Sequence, residues 1–356
     1  MNIDRNRYVD RMRGLTVFLM LIVNSPIDLR ITTATLKHSQ WAGLTLADAV
    51  FPTFLFIVGI SLSLSHSFSR INFKTIISKV VTLAFVGVLL KLMTFFLFKQ
   101  EHIRLMGVLL RIGVCYGVVG LMLLYMSNKT LKTTFITLFI LWLTILYVWN
   151  DYNQYSNISD VLDDLILGDY ANYYDVATGR HGDSEGIFST TGAVLTTLSG
   201  LIFGKRIDNI SNINGFFCGA ICILMGFSLF YFLSMPVIKK LWTPSFLLIC
   251  TGIAIWFYLL VKNMHYINLN CLEQVGRNSL KIYVFSIVIF EILLYLQLWH
   301  SLFVVIYINL IPKSIPIQGA TFIFSLLFSL LVCFFPSFIR KMFFKTKELC
   351  KNRVFK

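Results

Sequence analysis

Charge is scarce in this chain. Asp, Glu, Lys and Arg make up 13% of its 356 residues, where a soluble domain carries about 25%. The shortage is uneven: 31 basic residues face 17 acidic ones, for a formal charge of +14. The seven cysteines have no metal-binding spacing and suggest no disulfide framework. No glycine-rich phosphate loop is present. No small-x-small cleavage site follows the first apolar run, which therefore reads as a retained span and not as a signal peptide. No internal repeat is evident, and short alternating strands are missing, which excludes a β-barrel.

What remains is apolar. Hydrophobic residues reach 57%, with 33 phenylalanines, and they gather in unbroken runs. Windows fall at 15–27, 44–64, 76–98, 105–125, 131–149, 187–203, 213–233, 241–261, 280–298 and 321–339. Most approach the roughly 20 residues that a membrane-crossing helix needs. The run 302–312 is too short to cross and reads as interfacial or re-entrant. The fold class expected is an all-α polytopic membrane protein, a bundle of about ten transmembrane helices. The basic residues set its orientation, because Lys and Arg favour the cytoplasmic side. Ten spans with both termini cytoplasmic put roughly two thirds of them inside, including Arg5, Arg7, Arg70 and the tail from Arg340 onward. In a membrane protein this excess needs no nucleic-acid partner, and none is expected. Residues 1–356 read as a single transmembrane domain. Residues 150–186 form an acidic extracytoplasmic loop, with Asp160, Asp163, Asp183 and Glu185 among its acids and only Arg180 opposing them.

Several polar residues stand where a plain span has no use for them. The stretch "KHSQWAGLTLADAVFPTFLFIVGIS" (37–61) puts His38 ahead of an apolar run and Asp48 in its first turns. Pro52 cannot donate to the carbonyl of Asp48, so a kink is expected there. Arg111 lies a turn or two inside another span. Ten spans bring His38, Trp41, Asp48, Arg111, Asp183, Glu185, Ser189 and Thr190 to the outer face. Charged groups in a span pair with each other or line a polar cavity, and Asp48 with Arg111 is the pair expected. Position alone makes Trp41 an interfacial anchor, and Gly200-x-x-x-Gly204 a close helix contact.

Six motifs occur in order: "DRMRGLTVFLMLIVNSP" (10–26), the stretch above, "GVLLRIGVCY" (107–116), "DSEGIFSTTGAVLTTLSG" (183–200), "KKLWTPSFLL" (239–248) and "GRNSLKIYVFS" (276–286). Together they resemble the family of heparan-α-glucosaminide N-acetyltransferase and its bacterial relatives. The resemblance implies a multi-span enzyme that acetylates a glucosamine amine on the far side of the membrane, using cytosolic acetyl-CoA. It implies that His38 is the catalytic histidine, assisted by Asn24 and by Asp48. It implies substrate-binding roles for Arg111, Asp183 and Glu185, with Trp41, Ser189 and Thr190 beside them. Ser184 and Leu110 depart from the family's usual proline and glutamine.

The chemistry suits these residues. An amine must lose a proton as it attacks a thioester, and neutral imidazole can take that proton or first accept the acetyl group. Asn24 could orient His38 or donate to the oxyanion. Asp48 could fix the imidazole tautomer. The phosphates of acetyl-CoA call for cations, and Arg11, Arg13, Arg277, Asn278 and Lys281 are the residues expected to hold them. No metal is expected. The partners expected are an amino-sugar or glycan acceptor, the lipid bilayer and a second copy in a homodimer. Only nine residues precede Asp10, which suggests a bacterial inner-membrane protein with its active site facing the periplasm or exterior. Two readings remain beside this one: an amino-sugar transporter, and an O-acetyltransferase of surface polysaccharide.

Overall fold

The computed structural model describes residues 6–334 apart from 29, 68–70, 172, 176–178, 265, 266 and 268. Arg5, Arg70 and the basic tail from Arg340 lie outside the described residues. The regular structure of the described residues is helical apart from a two-residue antiparallel pair, β1 (Tyr174–Asp175) with β2 (Arg180–His181), in register Tyr174 to His181, and one isolated bridge. Its contacts group into two compact units, Met1–Lys37 with Ile267–Lys356, and His38–Tyr266.

The larger unit holds α2 (Leu46–Ser67), α3 (Phe73–Phe98), α4 (Val108–Tyr125), α5 (Asn128–Trp149), α6 (Ile158–Ala171), α7 (Ile187–Gly204), α8 (Asn212–Phe232) and α9 (Pro244–Asn263). Polar side chains start most of them. Asn72, Ser127, Ser211 and Thr243 each accept a backbone N–H from the first turn of α3, α5, α8 and α9, a bond that typically contributes about 1 kcal/mol. Lys99 and Asn150 close α3 and α5 in the left-handed conformation. Thr243 moves the start of α9 to Pro244, three residues past the apolar window, because Lys239–Trp242 turn before the helix begins. The helix α2 runs unbroken through Pro52.

All of these except α6 are long and apolar enough to cross a membrane. They span two extremes, with α4 between them at 50% buried. The apolar cores of α2, α7 and α9 are 78% buried inside the protein, whereas those of α3, α5 and α8 are 6–17% buried. Phe85, Phe96, Ile140, Phe216 and Tyr231 point outward from that second group, a surface that water would penalise and lipid accepts. The buried helices approach closely. A Cβ on Gly59 of α2 would overlap the Thr197 carbonyl of α7, and one on Gly200 would overlap the Phe56 carbonyl. The expected close contact at Gly200 is thus with α2.

The smaller unit holds α1 (Arg7–Asn24), a 3-10 turn (Ala34–Leu36), α10 (Asn270–Arg277), α11 (Ser279–Tyr295), α12 (Leu298–Asn309) and α13 (Ile317–Phe334). Asn6 caps α1, whose first two turns carry Arg7, Asp10, Arg11 and Arg13. Helix α13 is long enough to cross, and α10 with α11 forms a pair bent by 79° at Asn278. Helix α12, at 12 residues, is too short, as the sequence led us to expect. Trp299 anchors this part, packed edge-on to Phe290, Phe324 and Phe328. The chain is therefore an all-α polytopic membrane protein.

Candidate functional site

The site begins as a helix cap. Thr45 precedes α2, and Asp48 stands at its third helical position. The Asp48 amide approaches Thr45 Oγ1 (3.4 Å), while Thr45 N–H and Oγ1–H donate to Asp48 Oδ2 (3.2 and 2.9 Å). This is a reciprocal capping box with aspartate in the place of glutamate. Ser39 N–H also donates to Oδ2 (3.0 Å), which curls the preceding loop back onto the helix end. Oδ2 is thereby fully used. Oδ1 is left to face His38, whose Nδ1 lies 2.9 Å away.

That contact fixes the imidazole tautomer. A carboxylate only accepts hydrogen bonds, so an unprotonated Nδ1 would set two lone pairs against each other at 2.9 Å. Nδ1 therefore carries a proton and donates it to Asp48, and in the neutral ring the lone pair is on Nε2. The ring is half-exposed, at 47%, while the Asp48 side chain is only 1% exposed. A reacting group can reach Nε2 without disturbing the carboxylate behind it.

A third group completes the cluster. Lys239 Nζ lies 3.4 Å from Asp48 Oδ1 and 3.1 Å from His38 Nδ1. With Nδ1 protonated, the ammonium can donate only to the carboxylate. Burial pushes the Lys239 ammonium down from its usual range, against the pull of Asp48. Its loop is pinned to the histidine loop by backbone pairing: Ala42 bridges to Ile238, and Gly43 N–H donates to the Val237 carbonyl (2.8 Å). Thr243 secures the other end, donating to the Pro236 carbonyl and accepting the Ile238 N–H.

The other residues singled out in this unit lie in neighbouring clusters. Trp41 Nε1–H donates to the Tyr152 carbonyl (2.6 Å), and Lys240 stands 5.7 Å from its ring centre. Arg111 is fully buried. Its Nη2 donates to Ser189 Oγ (2.6 Å) and to the Gly186 carbonyl (3.0 Å), and its guanidinium stacks 5.3 Å from the Trp242 ring. The expected Asp48–Arg111 pair is not formed: Lys239 takes the carboxylate, and neutral oxygens with an aromatic face take the guanidinium. Thr190 Oγ1–H donates to the Gly186 carbonyl. Asp183 and Glu185 are both held by Arg104, which grips Asp183 with two bonds (2.8 and 2.5 Å). Asp163 reaches from α6 to the start of α7, where its Oδ1 accepts Ile187 N–H (2.8 Å) and Phe188 N–H (3.2 Å). Burial pushes its carboxyl up to about 6.

The remaining residues belong to the smaller unit. Asn24 ends α1 and lines a small cavity with Met20, Tyr283, Ser286 and Phe290. Arg11 lies 4.0 Å from Glu273, Arg13 bonds Asp10 (2.9 Å), and Arg277 bonds Glu273 (2.5 Å) and approaches Asp10 (3.6 Å). These contacts tie α1 to α10, where Gly14 and Gly276 let the two backbones touch. The three arginines are thus engaged by two carboxylates, Asp10 and Glu273. Asn278 Nδ2 donates to the Gln274 carbonyl (3.0 Å), and Lys281 is exposed. Lys239, Arg104 and Asp163 are the residues that sequence reasoning passed over as site members. The lysine pair ahead of "LWTP" was a signal for the first. Nothing local marked Arg104 or Asp163 as partners of this region.

Comparison with known proteins places the resemblance on the first part of the chain. Residues 5–162 match the family model described as heparan-α-glucosaminide N-acetyltransferase, catalytic. Heparan-α-glucosaminide N-acetyltransferase of Mus musculus is 36% identical over 131 residues, covering 33% of this chain. That of Homo sapiens is 35% identical over 127 residues, also covering 33% of this chain. Each alignment spans 19% of the relative's own length. Residues 5–162, which hold His38, Trp41, Asp48 and Arg111, are thus similar to the catalytic region of the heparan-α-glucosaminide N-acetyltransferase family.

Proposed function

We propose that this membrane protein is an acetyltransferase that moves an acetyl group from acetyl-CoA to the amine of a glucosamine-type sugar or glycan. The observation that carries the reading is the His38–Asp48 contact, with Nδ1 tied to a buried carboxylate and Nε2 left open. In the reaction the amine nitrogen attacks the thioester carbonyl and its proton passes to Nε2. Collapse of the tetrahedral intermediate breaks the carbon–sulfur bond, and the imidazolium returns the proton to the departing thiolate. Asp48 stabilises the imidazolium without itself taking the proton. The name of the mammalian relatives supports a glucosamine-type acceptor. The distribution of Lys and Arg supports an active site on the extracytoplasmic side, as in a bacterial inner membrane, supplied with acetyl-CoA from the cytosol.

The test is transfer across a sealed membrane. Proteoliposomes loaded with radiolabelled acetyl-CoA and given glucosamine outside should release N-acetylglucosamine externally. His38→Ala should insert normally, because a half-exposed loop side chain carries little packing. Its transfer rate should fall by roughly 100-fold or more, the usual scale for a general base. His66→Ala is the control and should change little. Uptake of unmodified glucosamine without acetyl-CoA would replace this reading with a transporter. Labelled O-acetyl product would change the acceptor atom and keep the site.

A further inference from the structure

Lys239 has no role in the proton transfer described above, yet its ammonium lies closer to the His38 ring than to Asp48. We infer that Lys239 is a positioning residue that keeps His38 neutral and therefore able to accept a proton. The inference rests on the acetyltransfer reading for its biological meaning, but not for its test.

The argument is one of competing charges. A buried carboxylate 2.9 Å from an imidazole favours the imidazolium. An ammonium 3.1 Å from the same ring nitrogen acts in the opposite sense, because a second cation there must face it. Lys239 also neutralises Asp48 before the reaction begins. The pair thus fixes the tautomer while cancelling most of the field that would protonate the ring. When His38 takes the substrate proton, the site carries two cations against one carboxylate, which favours prompt return of that proton to the thiolate. The surrounding groups do not reverse this balance. Arg111 on α4 and the Cys250 thiol on α9 are within electrostatic reach of Lys239, and Arg111 adds to the positive side. Lys240 is turned to Trp41. Lys37, next in sequence to His38, donates to the Arg30 carbonyl.

Placement supports a built arrangement. Lys239 has 16% of its side chain exposed, and its loop is stitched to the histidine loop at Ala42 and Gly43. A surface lysine passing by chance would not be anchored at both ends.

The experiment reads the protonation of His38 directly. Neutral imidazole reacts with diethyl pyrocarbonate and imidazolium does not, so the rate of His38 modification against pH, followed by peptide mass spectrometry, gives its titration. The purified full-length protein in detergent is used, with no substrate. Lys239→Gln should move the titration to higher pH by about 1–3 units, and Lys239→Arg should restore it. Asp48→Asn should move it the other way. This variant also keeps the idea testable should Lys239→Gln fail to insert. In the acetyl-transfer assay, the acid limb of the Lys239→Gln rate profile should shift with the chemical titration. An unchanged titration in Lys239→Gln, or a shift in the same direction for Lys239→Gln and Asp48→Asn, would overturn the inference. A wild-type protein that transfers no acetyl group, but shows these opposed shifts, would instead refute the acetyltransferase reading and leave the charge balance standing.

Discussion

Substituting Gly186 tests how the start of α7 is built. Helix α7 has no capping side chain of its own, because Gly186 fills that position. Asp163 supplies the missing acceptor from α6, and its carboxyl group lies against the glycine. A Cβ at Gly186 would overlap Asp163 Oδ2 and come within 2.6 Å of Cγ. Gly186 has φ −57°, so alanine suffers no backbone strain, and the whole effect must come through Asp163. Displacing the carboxylate removes a cap, at about 1 kcal/mol. It also strands a buried acceptor, at about 1–3 kcal/mol. Gly186→Ala should therefore destabilise the protein by roughly 2–4 kcal/mol. The assay is thermal unfolding in detergent for both single variants and the double variant. Asp163→Ala removes the clash together with the cap, so Gly186→Ala should cost almost nothing in that background. The coupling should therefore equal nearly the whole cost of Gly186→Ala, about 2–4 kcal/mol, as for directly touching residues. Additive effects would refute the account, since they would mean that the glycine is needed for something other than room for Asp163.

Two further predictions follow from packing and burial. Gly59→Ala should drive α2 from α7 and destabilise the protein by about 1–3 kcal/mol, read by the same unfolding assay, whereas Ala at the outward-facing Ile140 should change little. Asp163, with its carboxyl pushed up from 3.8 to about 6, binds its proton more tightly folded than unfolded. Its contribution to stability is full below pH 3.8 and is lost as pH rises through about 6. The unfolding midpoint of the wild type should fall from pH 5 to pH 7 by more than that of Asp163→Asn.

The sequence was most legible where physics acts locally. Unbroken apolar runs marked the crossing helices, and the ten-residue link between His38 and Asp48 suggested their contact. The pattern Thr45-x-x-Asp48 was also open to reading as a capping box, and it explains why a carboxylate stands in the first turn of a span. The partners of charges were not legible. Burial demands that Asp48 and Arg111 each find a partner, but it does not say which. Lys239 is 201 residues from His38, and Arg104 is 79 residues from Asp183. Arg111 met its demand with a carbonyl, a hydroxyl and an indole face, partners too common to be recognised in sequence. The arginines expected to bind acetyl-CoA show the same difficulty, since Asp10 and Glu273 already engage them.

These observations bear on how a reactive group is held at the mouth of a span. Asp48 and Asp163 both stand at a helix N-terminus by different routes: Asp163 reaches from α6 to accept N–H groups of the first turn of α7, whereas Asp48, inside the first turn of α2, accepts the Ser39 and Thr45 N–H groups just ahead of it. A helix N-terminus favours an anion through its exposed amides and its dipole. A carboxylate there is a structural requirement before it is a chemical one. At α7 nothing more is made of it: Asp163 is enclosed beneath Gly186. At α2 the loop from Ser39 to Thr45 occupies only one oxygen, and the other meets His38 and Lys239. The same cap therefore becomes a site wherever a neighbouring loop brings an imidazole to the oxygen that the helix leaves over. On the proposed reading, chemistry at this membrane surface would require only one addition to an ordinary helix start, a histidine whose charge is balanced from the opposite loop.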